Sequence, residues 1–337
     1  MYTFDEIVAH EDIINHLQTA IKTKKISHAY IFDGEKGMGK KMLANTFAKT
    51  LQCEKKGISP CDECISCRTY DSLNHPDIIF VEQTKKTGIG VNDIREQINQ
   101  NINIKPYQYP YKIYIVDNAD SMTEQAQNAL LKTLEEPPSY VIILLLSNNI
   151  NKFLVTIISR CVVLKLKPVM PKEVKNYLTD MIKISNDEAE LITSFAQGII
   201  GKAKELSSSQ EFFDMREEMI VISNSIIYDD EYELLKICDK FDNYKDNIQE
   251  FLDLLMTWFR DLLIVKKIND DLYLINRDKY EILVKQSHNL PYYRISEIIE
   301  NILNAKNLLR YNSNFRLVME MMITQTKENK DDKSNWR

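Results

Sequence analysis

The first half of the chain alternates short apolar runs with stretches whose apolar residues recur every three or four positions. Strands are predicted at 28–32, 77–82, 112–117, 141–147 and 161–166, all rich in Ile, Val, Leu and Tyr. Several are apolar on both faces, as strands of a parallel sheet covered on both sides are. Between them the pattern predicts helices at 40–52, 91–102 and 123–134, the last stopped by Pro137-Pro138. Strand alternating with helix is the signature of an α/β fold with a parallel sheet. Pro168 and Pro171 bracket a linker, and beyond it come helical stretches at 172–183, 186–196 and 200–207 with no strand signal. From 211 to 325 the chain reads as longer amphipathic helices. There Ile248, Phe251, Leu252, Leu255, Phe259, Leu262 and Leu263 share one helical face. Lys327–Arg337 is polar and is expected to fray.

Composition narrows this picture only modestly. With 337 residues, 44% hydrophobic and 27% charged, the chain has the make-up of a globular protein with room for two or three cores. Its net charge of −6 counts against a broad basic face for gripping nucleic acid unaided. No basic segment followed by an apolar run opens the sequence, so no signal peptide and a cytoplasmic location are expected. The longest apolar run, Val141–Leu146, is far too short to span a bilayer.

Two groups of residues carry chemistry. Gly34-Glu35-Lys36-Gly37-Met38-Gly39-Lys40 is a complete phosphate-loop pattern, placed after a predicted strand and opening a predicted helix. Gly34, Gly37 and Gly39 free backbone N–H groups to face phosphate, and Lys40 reaches the outer phosphates. The next residue should be Ser or Thr, whose hydroxyl ligates Mg²⁺; here it is Lys41, whose charge repels the metal. A second nucleotide motif, Ile113–Asp117, ends a buried strand in an acid fit to hold Mg²⁺. The glutamate that activates water in a working ATPase is replaced by Asn118, an amide that cannot act as a base. A glycine-rich turn without ligand is the plain alternative, and nucleotide occupancy stays open.

The other group is Cys53, Cys61, Cys64 and Cys67, four of six cysteines, with Gly57 and Pro60 shaping the loop between them. That spacing suits a closed tetrahedral Zn²⁺ site of a structural kind. Unmetallated thiols, an iron–sulfur cluster, or His75 in place of Cys53 are the other readings. Ser159-Arg160-Cys161, just before the last predicted strand, is either a surface arginine or one supplied to a neighbouring molecule's phosphate.

These motifs stand in one order. With His28–Gly34, His75-Pro76-Asp77, Asn128–Pro137, Val155–Arg160 and Asn312–Glu320 they resemble the bacterial clamp-loader AAA+ family over essentially the whole chain. The resemblance implies an α/β architecture: a P-loop parallel-sheet domain over 1–167 with an inserted four-cysteine zinc module at about 53–67, then a small helical lid over 168–208. An all-α collar over 209–327 and a polar tail at 328–337 complete it. It implies a part in loading the sliding clamp of DNA polymerase III onto primed DNA, with gamma/tau and delta subunits as partners.

Within that family Lys41 and Asn118 point to a member that does not hydrolyse ATP. Gly198-Ile199-Ile200-Gly201-Lys202 adds to this, because Gly201 stands where ATPase members sense nucleotide with an arginine. Asn148 matches the residue that senses the outer phosphate, and an amide is acceptable there. Arg160 is then the retained active element, acting in trans on the gamma/tau ATP site. The competing readings are an active gamma-type ATPase and, from another class, a zinc-dependent single-strand DNA-binding module. The acidic balance counts against the latter.

Overall fold

A computed structural model describes residues 3–84, 88–229, 237–268, 273–311 and 313–327; Asn312 and the expected polar tail at 328–337 lie outside them. The chain divides into two compact units, Met1–Ile182 with Ala196–Lys204, and Lys183–Phe195 with Glu205–Arg337.

The first unit is built on five strands, β1 (Ala29–Asp33), β2 (Ile78–Val81), β3 (Lys112–Val116), β4 (Val141–Ser147) and β5 (Val162–Lys165). They lie in the order β2-β3-β4-β1-β5 and every neighbouring pair is parallel. Alternate residues of each strand face opposite sides, so one sequence of Ile, Leu and Val fills two cores. Tyr30, Phe32, Ile113, Ile115, Leu144 and Leu146 pack with Leu17, Leu43 and Phe47. Ile31, Tyr114, Val116, Ile143 and Leu145 pack with Ile94, Ile98, Leu130 and Ile157. All seven residues of β4 are buried, as the central strand of a sheet covered on both faces must be.

The predicted strands match the observed ones to within a residue at either end. The helix at Lys40–Gln52 starts and stops where the pattern places it, and those at Glu124–Glu135, Asn186–Ala196 and Ile200–Ser207 agree closely. Two expected helices are irregular. The stretch expected as 91–102 is α-helical only over Val91–Ile94 and widens into a π-turn at Arg95–Asn99; that at 172–183 does the same after Asn176. In the first case Asn99 reaches across to Ala129 O (2.9 Å) and accepts from Thr133 (3.1 Å), contacts a regular helix would place elsewhere. Helices at Glu11–Thr23 and Ile65–Asp71 join the expected set.

The second unit contains the helices Gln210–Tyr228, Ile248–Ile268, Tyr280–Asn289, Tyr292–Arg310 and Phe315–Lys327. On Ile248–Ile268 the predicted face is buried except Leu263, which is half-buried, and Trp258 joins it with its indole N–H on Gln286 Oε1 at 2.7 Å. Among the described residues no helix is long and apolar enough to cross a membrane.

Candidate nucleotide site, cysteine centre and surface arginine

The phosphate loop leaves the C-terminal end of β1, with Gly34 N–H held by Ser147 O of β4 at 3.1 Å. Gly37 and Gly39 have φ of +90° and +97°, a left-handed turn that costs other residues strain. This turns the loop into the helix Lys40–Gln52, whose N-terminal N–H groups and dipole face the loop. The loop closes on its own side chains. Buried Lys40 donates to Gly34 O (2.7 Å), Glu35 O (2.8 Å) and Asn148 Oδ1 (2.8 Å). Burial holds its ammonium below the usual lysine value, against the pull of Asp117, Asp120, Asp33 and Glu35.

Lys41 points the other way, its ammonium 3.4 Å from Asp117 Oδ2. A cation on an exposed side chain thus stands beside the carboxylate that would hold Mg²⁺. Asn118, with φ of 49°, takes a hydrogen bond from Asn148 Nδ2 at 3.2 Å. Asp120, which the motif pattern does not single out, fixes Asn148 through its backbone N–H (3.1 Å) and pairs with Lys152 (3.3 Å).

The backbone of Gly201 seals the same loop from the side. Its N–H donates to Gly37 O at 2.9 Å, and a Cβ built on Gly201 would lie 2.6 Å from Gly37 Cα. No side chain fits there in this packing, so a nucleotide-sensing arginine is excluded from it by space as well as by sequence. In this arrangement loop carbonyls take the loop lysine, Lys41 stands beside Asp117, and Gly201 lies on the loop backbone. His10 also packs here, its Nε2 3.3 Å from Met38 O.

The four cysteines do come together. Their Sγ atoms all lie within 4.8 Å of one another, with Cys53 and Cys67 buried. Thiolates around a tetrahedral zinc with Zn–S bonds of about 2.3 Å stand about 3.8 Å apart, and Cys61 Sγ and Cys67 Sγ are 4.0 Å apart. Backbone N–H groups of Cys64 and Cys67 point at Cys61 Sγ and Cys64 Sγ, both at 3.4 Å, which stabilises negative sulfur. Burial pushes Cys61 up, but hydrogen bonds from the backbone N–H groups of Glu63 and Cys64 and with the Cys53 and Cys64 thiols together hold it down at about 6, while burial pushes Cys53 and Cys67 up. The set therefore fits a four-coordinate ion of zinc type.

His75 does not join the thiols. Its Nδ1 accepts the Asp77 N–H (3.2 Å), its Nε2 meets Ser66 Oγ (3.1 Å) and its ring lies against Tyr109.

The centre is tied to the phosphate-loop helix by a residue whose role only the fold discloses. Lys49, fully buried, reaches Asp62 at 2.5 Å, inside the cysteine loop, and Asp71 at 2.8 Å, ending the helix Ile65–Asp71. Burial opposes its charge, yet the two carboxylates more than compensate and raise its pKa. Lys49→Met is expected to cost about 2 kcal/mol: less than a fully buried pair, since both carboxylates recover some water. Urea unfolding of variant and parent checks this, and an unchanged midpoint would show the pair to be dispensable.

Arg160 follows the short helix Val155–Ile158. Buried Gln127 fixes that helix by accepting from Leu154 N–H (2.8 Å) and donating to Lys152 O (3.0 Å). The guanidinium donates from Nη1 to Thr156 O (2.9 Å) and from Nη2 to Glu135 Oε1 (2.9 Å). β5 runs parallel to β1 with Asp33 opposite Lys165, so Arg160 lies at the end of the sheet away from the phosphate loop. At a rise of about 3.3 Å per residue the start of β5, which follows Arg160, is roughly 13 Å from the loop along the strands.

Comparison with known proteins yields a consistent set. A family model described as DNA polymerase III, delta subunit, matches residues 9–170, and one for the C terminal of that subunit matches 216–328. The chain is 29% identical over 320 residues to DNA polymerase III subunit delta' of Bacillus subtilis (strain 168), covering 94% of this chain and 95% of that one. It is 26% identical to subunit tau of the same organism, covering 96% of this chain and 61% of the relative. Among solved structures, a gamma subunit-related protein of DNA polymerase III from Thermotoga maritima superposes with a TM-score of 0.46 at 19% identity, over 92% and 98% of the two chains.

Proposed function

The chain belongs to the DNA polymerase III clamp-loader family, and on that premise we propose that it is the delta prime subunit, a stator that does not hydrolyse ATP. In this reading it sits in the ring beside gamma/tau and delta subunits in the cytoplasm. It helps load the sliding clamp onto primed DNA, and it completes the neighbouring gamma/tau ATP site with Arg160. Its own phosphate loop (Gly34, Gly37, Gly39, Lys40) and Asp117 form a degenerate nucleotide site, and Cys53, Cys61, Cys64 and Cys67 hold a structural zinc. Residues 1–167 form the sheet domain, 168–208 the lid and 209–327 the collar that joins the subunits.

One observation carries the stator reading: the Lys41 ammonium lies 3.4 Å from Asp117. Hydrolysis needs a divalent cation held between a loop hydroxyl and this carboxylate, to neutralise charge building on the phosphates. Here the hydroxyl is gone and a lysine faces the remaining ligand. Asn118 removes the base as well, so two separate parts of the chemistry are lost together. The position of Arg160, at the far end of the sheet from its own loop, supports action on another molecule's nucleotide.

The intact loop glycines and Lys40 favour a second reading, an active gamma-type ATPase. Hydrolysis by the isolated chain, with Mg²⁺ and primed DNA, separates the two. No turnover is expected. Turnover abolished by Lys40→Ala would sink the stator reading. Co-purification with the cognate gamma/tau and delta subunits tests its place in the ring.

A further inference from the structure

We propose that Glu135 is a latch on Arg160, which makes it a positioning residue that sets how much ATP the neighbouring site requires. The inference rests on the reading of Arg160 as an arginine acting in trans.

Glu135 is the last residue of the helix Glu124–Glu135, on a different element from the arginine it holds. Its Oε1 takes Nη2 of Arg160 at 2.9 Å, while Nη1 is spent on Thr156 O and Ser159 Oγ. Arginine binds a phosphoryl group best through two parallel N–H bonds from one edge of its fork. With both terminal nitrogens engaged inside its own chain, Arg160 must give up a partner to do so. The carbonyls at the helix C-terminus add negative potential beside the guanidinium and favour the held position.

The latch is built to open. The two side chains are 34% and 51% exposed, and ion pairs that meet water are weak. A triphosphate arriving on the adjacent subunit carries more charge than one carboxylate and can replace it. Until then Glu135 does two things: it occupies the guanidinium, and its own charge repels the incoming phosphate. Both raise the ATP concentration needed, and neither alters the rate once Arg160 has been transferred.

The test uses the complete clamp loader reconstituted from this chain and its gamma/tau and delta partners, with ATP titrated in the presence of clamp and primed DNA. Glu135→Gln keeps the shape and removes the charge. It is expected to lower half-saturating ATP by about two- to five-fold, the range an exposed ion pair spans, with kcat unchanged. Glu135→Lys should lower it further, and matched thermal melts control for folding. In an Arg160→Ala background Glu135→Gln should have a smaller effect, since only the repulsion is left to remove. An unchanged half-saturation in both charge variants, beside an Arg160→Ala complex that has lost rate, would overturn the latch and leave the trans arginine standing. A fall in kcat with Glu135→Gln would also overturn it, since Glu135 would then align the arginine for catalysis. If Arg160→Ala changes nothing, the reading of Arg160 fails and the latch with it.

Discussion

If the proposed trans role holds, Arg160→Ala is expected to leave the assembled ring intact while removing about 10³-fold or more of the rate at the neighbouring ATP site. The size follows from what the side chain does. A transferring phosphoryl group spreads negative charge over its outer oxygens, and a guanidinium in place at that moment stabilises the charge without reorganising. Arg160 is suited to this because the turn that carries it is fixed: Gln127 clamps the preceding helix, and β5, which begins just after it, is paired along its length with β1. Single-turnover hydrolysis by the reconstituted complex, with size-exclusion to show that the ring has formed, measures the effect. Arg160→Lys should recover little, since a point charge on a flexible stem cannot replace a planar fork. Full hydrolysis by the Arg160→Ala complex would make Arg160 an ordinary surface residue.

Whether a feature is legible in the sequence depends on whether it is local. β3 and β4 read as continuous apolar runs because both of their faces are buried; a face open to water would have broken the run with polar residues. The phosphate loop and the four cysteines are legible because their chemistry depends on spacing within a short segment. The helix Glu11–Thr23 carries its own signal in Ile13, Leu17 and Ala20, which share one face, although acidic and polar residues surround them. The π-turn at Arg95–Asn99 is not legible, since it goes with hydrogen bonds between Asn99 and the helix Glu124–Glu135, some 30 residues on.

The same limit applies to the site. Gly201 marks a missing arginine in the sequence, but only the packing reveals that the loop backbone fills the space. Lys49, Gln127 and Asp120 belong to no motif, and Glu135 lies in the Asn128–Pro137 stretch with nothing in that stretch to say what it holds. Each matters because of a partner far away in the chain, and hydrophobic pattern and local spacing carry no record of which partner that is.

Removing the metal is expected to unfold the segment from Cys53 to Asp71 and to lower the melting temperature of the whole first unit. The stretch ahead of Tyr70 has little apolar packing of its own: Ile58 and Ile65 are 47% and 62% exposed. Metal binding at a four-thiolate site of this kind is itself folding free energy, about 10–16 kcal/mol in isolated zinc modules at neutral pH. The damage should spread because the helix Ile65–Asp71 carries Tyr70, which is buried in the core beneath the sheet, and Asp71, which holds Lys49 on the phosphate-loop helix. Metal analysis should find about one zinc per chain, and cobalt substitution should give the thiolate charge-transfer bands of a tetrahedral site. Cys64→Ser should reproduce the loss caused by a chelator, whereas Cys238→Ser, buried in the other unit, should leave metal content untouched. A chelated chain that melts with the loaded one would mean that the thiols pack as neutral groups and that the centre has no structural ion.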